Sequence, residues 1–116
     1  MECTVHQTSE IISKKWTLLI ILAIYKGAHR YSAIRRSISP ITPKILSMRL
    51  KELEAEKIIR KESDLAAVPK RTFYYLTEAG EDLVTIIGEI KRWGIRWKYD
   101  NDECKATPCR RCNKSL

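Results

Sequence analysis

The sequence is poor in the residues that build flexible segments, since its 116 residues include only four glycines and four prolines. This composition excludes long linkers and low-complexity regions. A long hydrophobic run is also missing, because the most apolar stretch, residues 16–25, is too short to span a bilayer. No Gly-rich phosphate loop, paired catalytic carboxylates or nucleophile–base motif is present. We therefore expect neither a membrane protein nor an enzyme.

Positive charge is what the sequence has in excess. Lys and Arg number 22 against 14 Asp and Glu, the formal net charge is +8, and the isoelectric point is near 9.5. This balance favours an anionic partner, either nucleic acid or a membrane surface. The length allows one domain with a modest core. Because no secretory signal is visible, we expect a cytoplasmic protein whose thiols are reduced.

Residues 42–56 predict an amphipathic helix with a basic outer face. Thr42 is a good N-cap, and Pro43 suits the first helical position. Spacings of i, i+4 and i+7 place three leucines on one face: Leu46, Leu50 and Leu53. Four side chains point the opposite way: Lys44, Ser47, Met48 and Lys51. Such a face suits a polyanion, although taken alone it fits an ordinary solvated helix equally well.

The flanking segments predict a mainly α fold with one small β-hairpin. Residues 16–26 form a helix apolar nearly all round, which must be enclosed by other elements, and Gly27 ends it. We expect helices over residues 5–13, 16–26, 32–38 (capped by Ser32) and 42–56, strands over 58–62 and 72–76, and a final helix capped by Thr77. Two helices joined by a tight turn, the second with a basic outer face, are typical of a helix-turn-helix.

A hairpin placed directly after a helix-turn-helix is a wing. Its loop, residues 63–71, ends in Lys70 and Arg71, which predicts a basic tip that lies along the phosphate backbone or reaches into the minor groove. Taken alone, the same two cations also fit an exposed, soluble hairpin.

The final helix carries a long apolar stripe at spacings of three and four residues: Leu83, Ile86, Ile87, Ile90, Trp93 and Trp97. A domain of this size has little core left for a stripe of that length. We therefore interpret its distal part, Ile90, Trp93 and Trp97, as a dimer interface. The alternative is packing against the first helix of the same chain.

These ordered pieces resemble the HxlR-type winged-helix transcriptional regulators, relatives of the MarR group, over about residues 3–97. The resemblance is carried by Cys3, Lys15-Trp16, Gly27-x-x-Arg30-Tyr31, Pro43-Lys44-x-Leu46-Ser47-x-Arg49-Leu50-Lys51-x-Leu53-Glu54, Val68-Pro69, Tyr75-Leu76-Thr77-x-x-Gly80 and Trp93-Gly94. The chain departs from the family at Ser13-Lys14, where glycines are usual, and at Ser39-Pro40-Ile41, where Pro-Gly-Ile is usual. The second departure affects the turn before residues 42–56.

The resemblance implies a winged helix-turn-helix homodimer that binds a pseudo-palindromic operator in double-stranded DNA, with the N- and C-terminal helices forming the dimer interface. By position, base edges or flanking phosphates would be met by Lys44, Ser47, Met48 and Lys51. Phosphates would be neutralised by Arg35, Arg36, Arg49, Lys70 and Arg71. We expect residues 1–98 to form this domain, with no cofactor and no membrane partner.

The four cysteines allow several interpretations. Cys3 stands where redox-sensing members of the family carry a reactive thiol, although members without sensing share it. The tail, residues 99–116, lies beyond the resemblance and contains C-x4-C-x2-C: Cys104, Cys109 and Cys112. Zinc or an iron–sulfur cluster with a fourth ligand, a dithiol, a disulfide to Cys3 and free thiols all fit this spacing.

Three functions therefore fit the sequence. The leading one is a sequence-specific, dimeric transcription regulator that responds to redox state through Cys3. The second is a winged-helix module that binds nucleic acid or protein without operator specificity. The third is a redox or metal-handling protein that acts through its cysteine tail.

Overall fold

The computed structural model describes residues 2–112 and 116. The elements, in chain order, are α1 (Thr4–Ile12), α2 (Thr17–Tyr25), α3 (Tyr31–Ser37), α4 (Pro43–Ala55), β1 (Ile59–Asp64), β2 (Arg71–Leu76), α5 (Glu78–Trp97), α6 (Asp102–Ala106) and a 3₁₀ turn (Cys109–Arg111). The predicted fold class, mainly α with a small β-hairpin wing, is confirmed.

Helix α2 is the centre of the core. Ile20, Ile21 and Ile24 are completely or almost completely buried, and α2 packs against α3, β2 and α5. Gly27 follows the helix with a φ of 111°, a left-handed conformation that glycine adopts without steric cost. The prediction that this apolar helix is enclosed and ends at Gly27 is confirmed.

The turn between α3 and α4 contains no glycine. Ile38 and Ile41 are both buried, and the Ile41 backbone N–H donates to the Ile38 carbonyl oxygen at 2.9 Å. No residue between positions 38 and 42 has a positive φ. Buried isoleucines therefore hold this turn in a backbone conformation that residues other than glycine adopt without strain.

Helix α3 begins one residue earlier than predicted. Arg30, rather than Ser32, occupies the N-cap position, and its carbonyl oxygen accepts the first helical hydrogen bond from Ile34. Ser32 lies within the helix. The prediction of Ser32 as N-cap was wrong because Tyr31 belongs to the first turn, where its hydroxyl contacts α4.

The hairpin is longer than predicted, with β1 and β2 pairing antiparallel from Ile59–Leu76 to Asp64–Arg71. It is tied to the segment before α3 by His29. The Tyr74 backbone N–H donates to the His29 carbonyl oxygen (2.7 Å), and His29 Nδ1 lies 2.9 Å from the Tyr74 carbonyl oxygen. The imidazole also lies against the ring of Tyr75, with centroids 4.7 Å apart. His29 is therefore a structural link.

The joint between the hairpin and α5 is close-packed. Thr77 is the predicted N-cap, and its hydroxyl oxygen accepts from the Gly80 N–H at 3.3 Å. The Thr77 N–H donates to the Ile58 carbonyl oxygen, and the same oxygen approaches the α-carbon of Gly80. A β-carbon at position 80 would lie 2.3 Å from that oxygen, so only glycine fits here.

The segment after α5 folds back on the domain. Lys91 Nζ donates to the Thr107 carbonyl oxygen (3.1 Å), and the guanidinium of Arg110 lies 4.7 Å from the centre of the Tyr25 ring. The division into residues 1–98 and 99–116 stays a prediction, and positions 1 and 113–115 fall outside the described residues.

Replacing Gly80 by alanine should lower the free energy of unfolding by about 1–3 kcal/mol, because the new methyl group collides with a backbone oxygen. Gly88→Ala is the matched control in the same helix, where a β-carbon meets nothing within 4 Å. Removing a helix-interior glycine should raise stability there by about 0.5–1 kcal/mol. Urea denaturation followed by circular dichroism distinguishes the two, and similar effects at both positions would contradict the close contact.

Candidate nucleic-acid interface

Helix α4 presents two opposite faces, as the sequence predicts. Leu46, Leu50 and Leu53 are buried in the core. Thr42 caps the helix by accepting a hydrogen bond from the Ile45 N–H at 3.3 Å, and Pro43 is the first helical residue. The side chains that point away from the core are all exposed: Lys44, Ser47, Met48 and Lys51. The predicted orientation of α4 is confirmed.

Tyr31 braces the start of α4 from α3. Its hydroxyl donates to the Pro43 carbonyl oxygen at 3.1 Å and accepts from the Ser47 hydroxyl at 3.4 Å. One phenol therefore sets the position of the first turn and the orientation of an outward side chain. Sequence reasoning placed Tyr31 in a family motif but assigned it no role, since its two partners lie 12 and 16 residues away.

Arg49 differs from the other predicted phosphate contacts. Only 15% of its side chain is exposed; its Nε donates to the Lys15 carbonyl oxygen (3.0 Å), and its guanidinium lies 3.4 Å from Glu52. Glu52 also pairs with Lys14 Nζ at 3.4 Å. We call this group, Arg49, Glu52, Lys14 and the Lys15 carbonyl, the Arg49 clamp. The clamp joins α4 to the turn before α2. Because the Arg49 guanidinium is bonded to protein groups within it, this side chain is not free to contact a phosphate.

The remaining predicted phosphate contacts are exposed. Arg35 and Arg36 lie in the last turn of α3. Lys70 and Arg71 lie where the hairpin loop returns to β2. None of these four shows an ion pair to another described side chain.

The tip of the wing carries aliphatic side chains as well as the predicted cation Lys70, which is exposed in the loop. Leu65 and Val68 are 79% and 97% exposed, so aliphatic side chains project from the loop. The strands extend to Asp64 and Arg71, which places Arg71 within β2 rather than in the loop. Arg71 therefore lies at the base of the loop, and Lys70 is the last residue of the loop.

Two further cations of this region were missed in the sequence. The guanidinium of Arg30 lies 5.5 Å from the centre of the Phe73 ring, and that of Arg60 lies 4.6 Å from the centre of the Tyr75 ring. Both arginines cover the aromatic residues of β2, at distances that suit cation–π attraction. No local pattern indicates these pairs, since each joins residues distant in the chain.

The apolar stripe on α5 is partly buried and partly exposed. Ile87 is buried against the core, whereas Trp93 and Trp97 are 58% and 62% exposed, and Ile90 is also exposed. Val5 of α1 is a further exposed aliphatic side chain, and α1 has no buried residue. One chain thus leaves uncovered apolar surface on both α1 and α5.

The four cysteines are free thiols in this structure. Cys3 is exposed at the N-cap of α1, whereas Cys104, Cys109 and Cys112 are half-buried in the tail. Within residues 2–112 and 116, no three His, Cys, Asp or Glu side chains come together as a metal site. The same residues include no helix long and apolar enough to cross a membrane.

These features define the class of protein. A braced turn, a second helix with an outward basic face and a hairpin directly after it form a winged helix-turn-helix. Residues 11–102 match the model of the HxlR-like helix-turn-helix family, and the chain belongs to that family. The resemblance inferred from the motifs is confirmed.

Relatives and solved structures agree with this membership. The uncharacterised HTH-type transcriptional regulator YvaP of Bacillus subtilis strain 168 is 36% identical over 88 residues, 76% of this chain and 81% of YvaP. A Porphyromonas gingivalis W83 protein assigned to the MarR family of transcriptional regulators matches with a TM-score of 0.75 and 39% identity, over 81% of this chain and 91% of that one. The oxidised form of the redox regulator HypR matches with a TM-score of 0.71 and 36% identity, over 79% and 94%. The chain is a transcriptional regulator of the helix-turn-helix type.

Arg49→Lys keeps the positive charge but loses the Nε donor that reaches the Lys15 carbonyl oxygen. We expect the free energy of unfolding to fall by about 1–2 kcal/mol, measured by urea denaturation. Lys51→Ala, on the exposed face of the same helix, is the control and should change it by less than about 0.5 kcal/mol. Unchanged stability of the Arg49 variant would show that the clamp contributes nothing.

Proposed function

We propose that this protein is a cytoplasmic, sequence-specific regulator that binds a pseudo-palindromic operator in double-stranded DNA as a homodimer. The observation that carries the proposal is the outward face of α4, whose four exposed side chains include two lysines and no acid. An α-helix is about 10–12 Å wide and the DNA major groove about 12 Å, so this helix fits the groove.

Each outward side chain of α4 suits a groove contact. Lys44 and Lys51 can donate to guanine O6 and N7 or to a flanking phosphate, and Met48 can contact a thymine methyl group. The Ser47 hydroxyl, already bonded to Tyr31, is held in place for a base edge or a phosphate oxygen. Specificity would come from these contacts and from the shape of the DNA.

The exposed cations beside α4 would supply affinity rather than specificity. Arg35 and Arg36 on α3, and Lys70 and Arg71 at the wing, suit phosphate contacts that release counterions and make binding salt-dependent. We assign Arg49 to holding α4 in place, because a phosphate contact would require it to give up the clamp.

The exposed part of the α5 stripe supports a dimer. With 20 residues, α5 is about 30 Å long, and only Gly80 and Ile87 along it are buried. Ile90, Trp93 and Trp97 are large apolar side chains whose burial against a second copy is strongly favourable. A two-fold axis there would place two α4 helices on successive major grooves.

Cys3 supports a response to redox state. It is exposed at the N-cap of α1, where an oxidant can reach it, and the similar protein HypR is a redox regulator. In the proposed reaction the thiol takes one oxygen atom from hydrogen peroxide and becomes a sulfenic acid, while the O–O bond breaks and the second oxygen leaves as water.

Lys44→Ala and Lys51→Ala should each weaken binding to an operator selected from random duplexes by about 1–3 kcal/mol. Gel shifts against the operator and an unrelated duplex measure this loss. Lys98→Ala removes the same charge from the end of α5 and should change affinity little. Equal affinity of the native protein for both duplexes would instead favour a winged-helix module without operator specificity.

Trp97→Ala should shift the protein from dimer towards monomer in sedimentation velocity, because it removes a large apolar contact from the proposed interface. Leu65→Ala, at the exposed wing tip, is the control and should leave the dimer intact. A Trp97 variant that remains fully dimeric would place the interface elsewhere.

Peroxide treatment should change operator affinity at least several-fold in the native protein, and Cys3→Ser should abolish that response. Fluorescence anisotropy with labelled operator, before and after treatment, measures both. Cys104→Ser controls for the tail thiols and should respond like the native protein. A Cys3→Ser variant that still responds would exclude sensing by Cys3.

A further inference from the structure

A cavity of about 640 Å³ lies between α2, α5 and the tail. Its lining includes no residue of α3, α4 or the hairpin, so it is separate from the proposed DNA-binding face. The volume falls within the range of small-molecule sites in proteins. Much of one wall comes from residues 101–112 and Leu116, and most of this tail lies beyond the family match at residues 11–102.

The lining is apolar inside and positively charged around it. The buried residues that line the cavity, Leu22 and Ile87, are aliphatic, and Leu116 and three half-buried thiols add further apolar or weakly polar surface. The charged residues of the lining are three cations and one carboxylate: Lys26, Lys91, Arg111 and Glu103. The site therefore combines an apolar interior with an excess of positive charge.

Lys91 supplies a fixed donor in this cavity. Its Nζ donates to the Thr107 carbonyl oxygen at 3.1 Å and approaches the sulfur of Cys109 at 3.7 Å. An ammonium group carries three N–H donors, so these two partners leave one for an oxygen of a ligand. Lys91 is half-buried, which strengthens its attraction for an anion.

We propose that this cavity binds a small amphipathic organic anion. The apolar body of the ligand packs against Leu22 and Ile87, and its carboxylate or sulfonate group lies between Lys91 and Arg111. The assignment goes beyond operator binding and does not depend on it. Because the Leu116 N–H donates to the Ser37 carbonyl oxygen at 2.9 Å, the tail also connects this site to α3.

The three thiols in the lining make occupancy measurable in the full-length reduced protein. Octanoate is the probe, and 1-octanol, which has the same chain without the charge, is its control. Iodoacetamide alkylation of each cysteine is followed by mass spectrometry. We expect octanoate to slow alkylation of Cys104, Cys109 and Cys112 several-fold. The rate at Cys3, which precedes α1 and does not line the cavity, should be unchanged.

Variants test the anion contacts. Lys91→Gln and Arg111→Gln should each raise the octanoate concentration needed for half protection by about tenfold. Arg92→Gln removes a cation from the same helix outside the cavity and should leave that concentration unchanged. Lys91→Gln also removes the hydrogen bond from Lys91 to the tail, so that variant alone does not separate loss of the anion contact from loosening of the tail. Arg111→Gln removes a cation and leaves the Lys91 bond in place, which separates the two causes. No protection by octanoate, or equal protection by 1-octanol, would overturn the proposal.

Discussion

The enclosure of α2 is the constraint on which the rest of the structure depends. A helix that is apolar on every side has no face to give to water, so other elements must cover it. Helices α3 and α5 and strand β2 pack on it directly, and the leucines of α4 join the same core. Once Leu46, Leu50 and Leu53 point inward, Lys44 and Lys51 must point outward. The basic face of α4 is thus a consequence of how the core is covered.

The position of α4 is secured by contacts on several sides of the helix. Thr42 caps its start, Tyr31 bonds to its first turn from α3, and the Arg49 clamp joins its middle to the turn before α2. None of these contacts uses Lys44 or Lys51, whose side chains remain available. In the proposed complex, a helix held in this way would meet DNA with little loss of conformational entropy, which favours both affinity and discrimination.

Much of this arrangement is predictable from local sequence. Thr42-Pro43 marks the start of α4, the leucine spacing orients it, and Gly27 ends α2, because each signal acts within a few residues. Other features depend on distant partners and were missed or misassigned. Arg49 reaches residue 15 and His29 reaches Tyr74, 34 and 45 residues away. The extent of the hairpin was also missed, because the ladder continues through Ser63–Thr72 to Asp64–Arg71, which shortens the loop and places Arg71 in β2.

The central claim is that the outward face of α4 enters the DNA major groove in a dimer. The most direct test attaches an iron chelate to Met48→Cys, in a protein whose four native cysteines are serine, and maps cleavage of the selected operator. The account predicts two clusters of major-groove cleavage, centred about 10–10.5 base pairs or a multiple of that apart. The same chelate on Glu81→Cys, at the start of α5, should cleave weakly. Stronger cleavage from position 81 than from position 48 would contradict the account.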